Sequence, residues 1–352
     1  MTNPQTLLRP ALRSLKAYES KSLPNCVRME ANENPFPWPE GMRNELFQGD
    51  FQLNRYPDGQ ASLLKKALAQ YTGMEQSGIL TGNGSDELIQ LILSSFGGEG
   101  KKVILHPPTF SMYQVASKVT GTGFVEVPLL QGVTLDVEGI LRAAQRPEAS
   151  VIILCNPNNP TGSLFPREDL IRVVRESGKI VALDEAYGEF AGESLADQIT
   201  NYPNLLVMKT FSKAFALAGL RLGYLLGQPE TIELLNRARS PFNVNAFTQR
   251  AGVLALKYVE DFRQQTRIIQ REIENLYLGI KEISGVTVWS TRANFVLFQP
   301  AQPNQVYEAL IQKGFLVRNM GNLPMIGDAL RASVSLPEDN ERFLTVLREI
   351  VS

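Results

Sequence analysis

Residues 210–224 read Thr210-Phe-Ser-Lys-Ala-Phe-Ala-Leu-Ala-Gly-Leu-Arg-Leu-Gly-Tyr224, and they are the most informative part of the chain. Lys213 follows a short apolar run and has small and apolar neighbours. Such surroundings desolvate an amine and lower its pKa, which favours its reaction as a nucleophile. Ser212 and Arg221 offer a hydroxyl and a cation that together suit a phosphate group. A lysine of this kind taken alone is more often a surface residue at a helix start, so the prediction of a reactive site depends on the motifs around it.

Short apolar runs alternate with helix-length amphipathic segments on both sides of this stretch. Almost continuous apolar runs are typical of parallel strands that are covered on both faces. The predicted strands are residues 103–105, 123–127, 151–155, 180–183, 205–208 and 222–226. The predicted helices include residues 86–96, 109–119 and 167–177. This alternation predicts an α/β fold built on a doubly wound, mainly parallel sheet.

The pattern changes after about residue 241, where a long helical stretch at 245–283 begins. Strand-like runs follow at 286–289, 295–298 and 330–334. This arrangement favours a second, smaller α+β domain. We predict a large domain over residues 41–245 and a small domain over residues 246–352. Residues 1–40 are Pro- and Asn-rich and are predicted to form an arm that contributes to the small domain and covers the site.

Polar residues directly follow two of the predicted strands. Asp184 ends one apolar run, and Asn159 lies in the loop Cys155-Asn-Pro-Asn-Asn-Pro-Thr-Gly162 after another. In open α/β sheets, ligands bind at the carboxyl ends of the strands. A buried Asp184 needs a cationic partner, such as a protonated ring nitrogen, and Tyr187 could reach the same ring. The two X-Pro bonds favour an extended loop that can aim the Asn amides, although a plain turn or helix cap explains each motif taken alone.

A glycine-containing segment, Thr81-Gly-Asn-Gly-Ser-Asp-Glu87, precedes a helical run. Gly84, Ser85 and Asp86 are predicted to open a helix whose free N–H groups and dipole attract a phosphate. The segment lacks the Gly-Lys-Ser/Thr ending of a P-loop and does not complete a dinucleotide fingerprint. Phe110 offers a flat face for an aromatic ring, although a core position explains it equally well.

Composition excludes several classes of protein. The 352 residues carry 35 Lys and Arg against 36 Asp and Glu, without long charge runs, which argues against a nucleic-acid-binding protein. The two cysteines are too few for a disulfide framework, and Cys155 is predicted to be a buried core thiol. The lone His106 is predicted to be structural or solvent-facing, and no metal site is expected. No signal peptide or membrane span is recognisable, so a soluble cytoplasmic protein is expected.

Together these motifs resemble those of the fold type I pyridoxal-phosphate (PLP) enzymes and, within them, the histidinol-phosphate aminotransferases. The matching segments follow the family's order and extend from residue 31 to residue 333. They are Ala31-Asn-Glu-Asn-Pro35, Arg55-Tyr-Pro57, 82–87, Pro107-Pro-Thr109, 156–162, 184–187, 212–223 and Leu330-Arg-Ala-Ser333. The resemblance therefore covers nearly the whole chain and is more specific for the class than for the substrate.

The resemblance implies PLP as the cofactor and Lys213 as its Schiff-base lysine and proton carrier. It implies Asp184 at the pyridine nitrogen, with Asn159 and Tyr187 at the phenolic oxygen. The remaining implied cofactor-binding residues are Gly84, Ser85, Asp86, Ser212 and Arg221 at the phosphate, with Phe110 stacked on the ring. Many relatives have Tyr at the stacking position, so a phenol hydrogen bond is expected to be absent here.

Further contacts are implied at the substrate end. Arg331 matches the arginine that grips the carboxylate of glutamate or 2-oxoglutarate, and with Arg318 it would take a substrate phosphate. Tyr18 and Asn32 are weaker candidates for substrate contact. Tyr56 would reach the cofactor phosphate of the neighbouring subunit, which implies a homodimer with shared active sites.

The implied reaction consists of two half-transfers in histidine biosynthesis. Glutamate gives its amino group to the cofactor, and imidazole-acetol phosphate then receives it to become histidinol phosphate. An aromatic amino acid aminotransferase or a threonine-phosphate decarboxylase on the same fold remains an alternative, although Arg318 together with Arg331 favours a phosphate over an aromatic acid. A non-enzymatic regulator would carry a DNA-binding domain ahead of the first motif, for which the first 30 residues are too few. An α/β domain without a cofactor would require several independent coincidences.

Overall fold

The computed structural model describes residues 3–17 and 23–351, so the predicted substrate contact Tyr18 lies outside the described residues. The strands are β1 (Val27–Met29), β2 (Ile79–Gly82), β3 (Lys102–Leu105), β4 (Gly123–Glu126), β5 (Ala149–Cys155), β6 (Ile180–Asp184), β7 (Leu205–Thr210), β8 (Gly223–Leu226), β9 (Val286–Val288), β10 (Phe295–Pro300), β11 (Phe315–Leu323) and β12 (Gly327–Ser333).

The α-helices are α1 (Pro4–Leu7), α2 (Glu40–Phe47), α3 (Ser62–Thr72), α4 (Gly84–Phe96), α5 (Met112–Thr120), α6 (Val137–Ala144), α7 (Arg167–Ser177), α8 (Gly188–Ala191), α9 (Pro229–Asn236), α10 (Ala246–Lys257), α11 (Val259–Lys281), α12 (Pro303–Gln312) and α13 (Pro337–Val351). Short 3-10 turns lie at Pro10–Leu12, Gln76–Gly78, Ala196–Gln198 and Ala218–Leu220.

Seven strands form the large sheet in the order β2-β8-β7-β6-β5-β3-β4. β8 runs antiparallel to both of its neighbours, and the pairs from β7 to β4 are parallel. Along β5, Val151 and Ile153 pack into one apolar cluster, whereas Ile152 and Leu154 pack into another. Because successive side chains of a strand point to opposite faces, both faces of the sheet are covered. The predicted doubly wound, mainly parallel sheet is therefore confirmed.

Five strands form the second sheet in the order β1-β11-β12-β10-β9. β1 joins its edge in parallel with β11, through the pairs Val27 with Phe315 and Met29 with Val317. A strand from the first forty residues thus shares a sheet with strands from the last seventy. The division into two domains at residue 245 stays a prediction.

The single long helix predicted for residues 245–283 is wrong, because the chain breaks at Tyr258 between α10 and α11. Tyr258 has φ −97° and ψ 27°, outside helical values, and its N–H donates to the carbonyl of Leu254. Its hydroxyl lies 3.2 Å from Glu45 Oε2, and its ring lies against Gly41. A tertiary contact with α2 thus fixes the break, while the apolar periodicity continues through it.

The carboxyl ends of β5, β6 and β7 meet at one edge of the large sheet, and the sequence motifs follow directly from them. Asn159 lies after β5, Asp184 ends β6 and Lys213 lies three residues beyond β7. Parallel strands therefore bring residues far apart in sequence to one edge. Among the described helices, none combines the length and apolar character needed to cross a membrane.

Candidate active site

Lys213 lies in the turn after β7, where its side chain is only partly exposed. Its Nζ donates to the carbonyl oxygen of Ala31 at 2.9 Å. Burial, followed by the positive charge of Arg331, lowers the pKa of Lys213 to about 8. The arm residue Ala31 thus contributes backbone to the site, and the amine is poised to lose its proton near neutral pH.

Asp184 is 3% exposed at the end of β6. Its Oδ2 accepts a hydrogen bond from the Tyr113 hydroxyl at 2.7 Å, and its Oδ1 accepts from the Ala186 N–H at 3.0 Å. Burial raises the pKa of Asp184 to about 6, although the two hydrogen bonds act in the opposite direction. No Lys or Arg among residues 3–17 and 23–351 forms an ion pair with this carboxylate, so its charge is available to a cationic group of a ligand.

Tyr187 is the centre of a buried hydrogen-bond network. Its hydroxyl accepts from Asn32 Nδ2 at 2.9 Å and from Asn159 Nδ2 at 3.3 Å. Asn32 is held in turn through its backbone N–H, which donates to Ser333 Oγ at 2.8 Å. Burial raises the pKa of Tyr187, so the phenol stays protonated at neutral pH. The structure thereby brings together two residues predicted for the cofactor and one predicted for the substrate.

Two glycines allow a closer approach of neighbouring groups at the start of α4 than a residue with a side chain would permit. A Cβ on Gly84, where φ is +79°, would lie 2.8 Å from Arg221 Nη2, and one on Gly223 would lie 2.9 Å from the backbone N of Ser85. Arg221 adopts φ +52°, which is uncommon for a residue with a side chain. Its guanidinium reaches Ser212 Oγ at 3.4 Å and Asp86 Oδ2 at 3.0 Å.

This group combines backbone N–H donors at a helix N-terminus, a hydroxyl and a guanidinium, which is the chemistry of a phosphate site. The residues are Gly84, Ser85, Asp86, Ser212 and Arg221, and all five were predicted from the sequence. The ion pair with Asp86 shows how Arg221 is held beside the helix start.

Arg331 is 7% exposed on β12. Its Nη1 donates to Asn159 Oδ1 and its Nη2 donates to the carbonyl of Glu30, both at 2.6 Å. The guanidinium also lies 5.1 Å from the centre of the Phe295 ring. Arg318, half-buried on β11, is its direct cross-strand partner. The two predicted anion-binding arginines are therefore adjacent.

Phe110 and Tyr56 differ in how the structure relates them to this site. Phe110 is half-buried, and its ring meets that of Tyr113 edge to face at 5.5 Å. Tyr56 is 82% exposed and stacks on Phe242 at 4.5 Å. None of its described hydrogen bonds or ring contacts joins it to the site of its own chain.

Tyr113 was not predicted from the sequence to be a residue of the site. It occupies an apolar position on α5, where its pattern indicates a core aromatic residue, and nothing in the local sequence marks the hydroxyl. Only the three-dimensional distance to Asp184 reveals it.

His106 and Cys155 are buried, and the sequence prediction of a core thiol is confirmed. His106 Nε2 accepts from the Cys155 N–H at 3.0 Å, which gives the imidazole a structural role. Burial lowers the pKa of His106 to about 3 and raises that of Cys155 to about 12. Among the described residues, no cluster of three or more His, Cys, Asp or Glu has the arrangement of a metal site.

The sheet order, the lysine after β7 and the aspartate ending β6 define the fold type I architecture of aminotransferases. A family model described as aminotransferase class I and II matches residues 24–347. A histidinol-phosphate aminotransferase of Desulfitobacterium hafniense (strain Y51) is 61% identical over 349 residues, which cover 98% of this chain and 97% of the relative. The chain therefore belongs to the class I and II aminotransferases and, within them, to the histidinol-phosphate aminotransferase family.

Solved structures are similar over almost the same length. The histidinol-phosphate aminotransferase from Clostridium acetobutylicum has a TM-score of 0.85 and 27% identity, over 92% of this chain and 98% of that protein. The enzyme from Sinorhizobium meliloti, which was crystallised with pyridoxal-5'-phosphate, has a TM-score of 0.88 and 24% identity over 98% of this chain and 97% of its own. At 24% identity, the similarity to the Sinorhizobium meliloti enzyme supports the fold alone.

Proposed function

We propose that this protein catalyses PLP-dependent transamination between histidinol phosphate and 2-oxoglutarate, giving imidazole-acetol phosphate and glutamate. In histidine biosynthesis the reaction would run in the reverse direction, in the cytoplasm. The observation that carries the proposal is the placement of Lys213 and Asp184 at one edge of the large sheet. Arg331, from β12 of the second sheet, reaches the same edge through its hydrogen bond to Asn159. Kinship with the Desulfitobacterium hafniense enzyme supports the choice of substrate.

The described residues fit PLP at both ends of the cofactor. The buried Asp184 suits a protonated pyridine nitrogen, because a buried carboxylate is stabilised by a cationic hydrogen-bond donor. The start of α4 suits the phosphate, because backbone N–H groups, Ser212 and Arg221 meet there, and a Cβ at residue 84 would collide with the Arg221 guanidinium. Tyr187 and Asn159 would bind the phenolic oxygen, and Phe110 would cover the ring.

When bound, PLP supplies an electron-poor ring that accepts charge developing at the substrate's α-carbon. Asp184 would hold the pyridine nitrogen protonated. Lys213, with its lowered pKa, would take up the proton of the α-carbon through Nζ. Arg331 would orient the substrate by holding its anionic end at a fixed distance from Lys213.

The arginine pair favours a phosphate-bearing substrate over an aromatic amino acid. A guanidinium binds either a carboxylate or a phosphate through two parallel hydrogen bonds. Arg331 alone would suffice for glutamate, whereas a dianionic phosphate benefits from the second cation at Arg318. Asn32 would lie beside the bound substrate, because it contacts Tyr187.

The visible absorption spectrum of the purified protein tests this proposal. Adding histidinol phosphate to the PLP-loaded enzyme is expected to convert the cofactor to its pyridoxamine form, and 2-oxoglutarate should reverse the change. Conversion by an aromatic amino acid, with no response to histidinol phosphate, would contradict the substrate. Release of carbon dioxide from threonine phosphate would identify a decarboxylase, and failure to take up PLP would refute the cofactor.

We also propose a homodimer in which Tyr56 serves the phosphate site of the partner subunit. Large apolar side chains of the same region are exposed, including Phe47 at 64%, Leu53 at 70% and Leu63 at 75%. Exposed apolar surface of this kind is typical of protein interfaces.

We also propose a division into two domains. Residues 41–245 would form the PLP domain, while residues 1–40 and 246–352 would form the smaller one.

Replacing Tyr56 with phenylalanine is expected to weaken PLP binding by about 10-fold or more, because a hydrogen bond to a charged phosphate is lost. The phenylalanine ring keeps the stack on Phe242, which limits the change to the hydroxyl. PLP affinity is measured by equilibrium dialysis, and sedimentation gives the oligomeric state. A monomer with a normal turnover rate would contradict the shared site.

Mixed dimers provide the control. When Tyr56→Phe and Lys213→Ala subunits reassort at limiting PLP, one site in each mixed dimer has Lys213 and receives an intact Tyr56 from its partner. Random mixing should therefore recover about a quarter of wild-type sites. No recovery would mean that Tyr56 does not act across an interface.

A further inference from the structure

Tyr113 is a buried tyrosine of α5 whose ring and hydroxyl contact two different parts of the site. The side chain is 0% exposed. Its hydroxyl donates to Asp184 Oδ2 at 2.7 Å, and its ring meets Phe110 edge to face. We propose that Tyr113 is a positioning residue, whose hydroxyl keeps Asp184 ionised and aimed at the cofactor's pyridine nitrogen. The inference rests on the proposed function, because it assumes that PLP occupies this site.

The Tyr113 hydroxyl opposes the effect of burial, which raises the pKa of Asp184. Burial favours the neutral carboxylic acid, which could not pair with a pyridinium. The Tyr113 hydroxyl and the Ala186 N–H are the donors that favour the carboxylate. The titratable groups facing Asp184 are Tyr113 from α5, Cys155 from β5, Asp86 from α4, and Glu185 and Tyr187 from the segment after β6. None of these groups is a cation, so the neutral donors carry the stabilisation.

Tyr113 itself remains a donor under all ordinary conditions. Burial and the neighbouring Asp184 raise its pKa well above the usual value of 10.0. The phenol therefore keeps its proton while the carboxylate next to it is charged. Hydrogen bonds to a charged acceptor are stronger than those between neutral groups.

The two donors also fix the direction of the carboxylate. Tyr113 holds Oδ2 and the Ala186 N–H holds Oδ1, so rotation of the carboxyl group would break both hydrogen bonds. The lone pairs that these donors leave free can accept from the cofactor nitrogen. A phenylalanine would fill the same space and keep the Phe110 contact, but it could not hold Oδ2.

The test compares Tyr113→Phe with Tyr224→Phe. Tyr224 is also 0% exposed, but its hydroxyl has no hydrogen-bond partner among the described residues. In the cofactor-free, full-length chain labelled with 13C-aspartate, Tyr113→Phe is expected to raise the pKa of the Asp184 carboxyl by about one unit. The signal is assigned with Asp184→Asn, and Tyr224→Phe should leave it unchanged.

PLP affinity across pH gives the second readout. Because the pKa of Asp184 would rise from about 6 to about one unit higher, Tyr113→Phe should weaken binding only about 2-fold at pH 7. The loss should grow towards about 10-fold near pH 5, where both carboxyl groups are largely protonated, and vanish as rising pH ionises Asp184 in both proteins. Lys213 titrates in both proteins, so the difference between their curves reports on Asp184. In an Asp184→Asn background, Tyr113→Phe should have no additional effect.

Two results would overturn the inference while the wild-type enzyme still binds PLP. One is an unchanged Asp184 titration in Tyr113→Phe. The other is an equal loss of affinity in the Asp184→Asn background, which would indicate a purely structural role. A wild-type protein that binds no PLP would instead refute the proposed function, and this inference with it.

Discussion

Replacement of Lys213 with alanine is expected to reduce transamination by ~10⁴-fold or more, because the variant would lose the amine that we propose to bond the cofactor and to carry the proton. Burial and Arg331 lower the pKa of Lys213 to about 8. About a tenth of such an amine is uncharged at pH 7, against about one part in three thousand for an ordinary lysine. An alanine cannot replace this group, and no other described lysine contacts Ala31.

Lys209→Ala is the informative control for this variant. Lys209 is also buried and only four residues away, but it pairs with Glu185 and Glu189 at 3.2 Å. Its loss should lower thermal stability by leaving buried carboxylates unpaired, without removing the covalent link to PLP. Borohydride reduction followed by peptide mass spectrometry should find that link on Lys213 alone. A Lys213→Ala enzyme with normal turnover would refute the mechanism.

The parts of the site that could be predicted from the sequence are those carried by strand ends. Asp184 ends one apolar run typical of a buried strand and Lys213 follows another, and parallel strands place their carboxyl ends at one edge. The parallel pairing of β6 and β7 therefore explains why Asp184 and Lys213 lie at the same edge of the sheet. The helix start at Gly84 is similarly local, because glycine, Ser and Asp at that spacing determine its backbone donors.

Contacts between distant segments could not be predicted in the same way. The hydrogen bond from Tyr113 to Asp184 joins residues 71 positions apart. The contact between Asn32 and Tyr187 spans 155 positions. The break at Tyr258 likewise depends on a contact with α2. In each case the local sequence is compatible with another role, and packing of remote elements decides between them.

Arg331 is expected to serve both substrates, so Arg331→Ala should lower kcat/KM for glutamate and for histidinol phosphate by about 100-fold or more each. The guanidinium is buried, and Asn159 and the Glu30 carbonyl hold it in one orientation. It can therefore present a fixed pair of N–H donors to a carboxylate or to a phosphate. Removal of that pair leaves either anion without its main partner.

Two further variants separate the charge of this arginine from its shape. Arg331→Lys keeps the charge but loses the parallel donors, so it should recover only part of the activity.

Arg318→Ala should reduce kcat/KM for histidinol phosphate far more than for glutamate, because only the phosphate would bind a second cation. Since Arg331 also holds Asn159, the PLP spectrum of each variant must be recorded to detect a displaced cofactor. If Arg331→Ala weakened only one of the two substrates while the spectrum stayed normal, a shared anion site would be wrong, and the two substrates would bind through different residues.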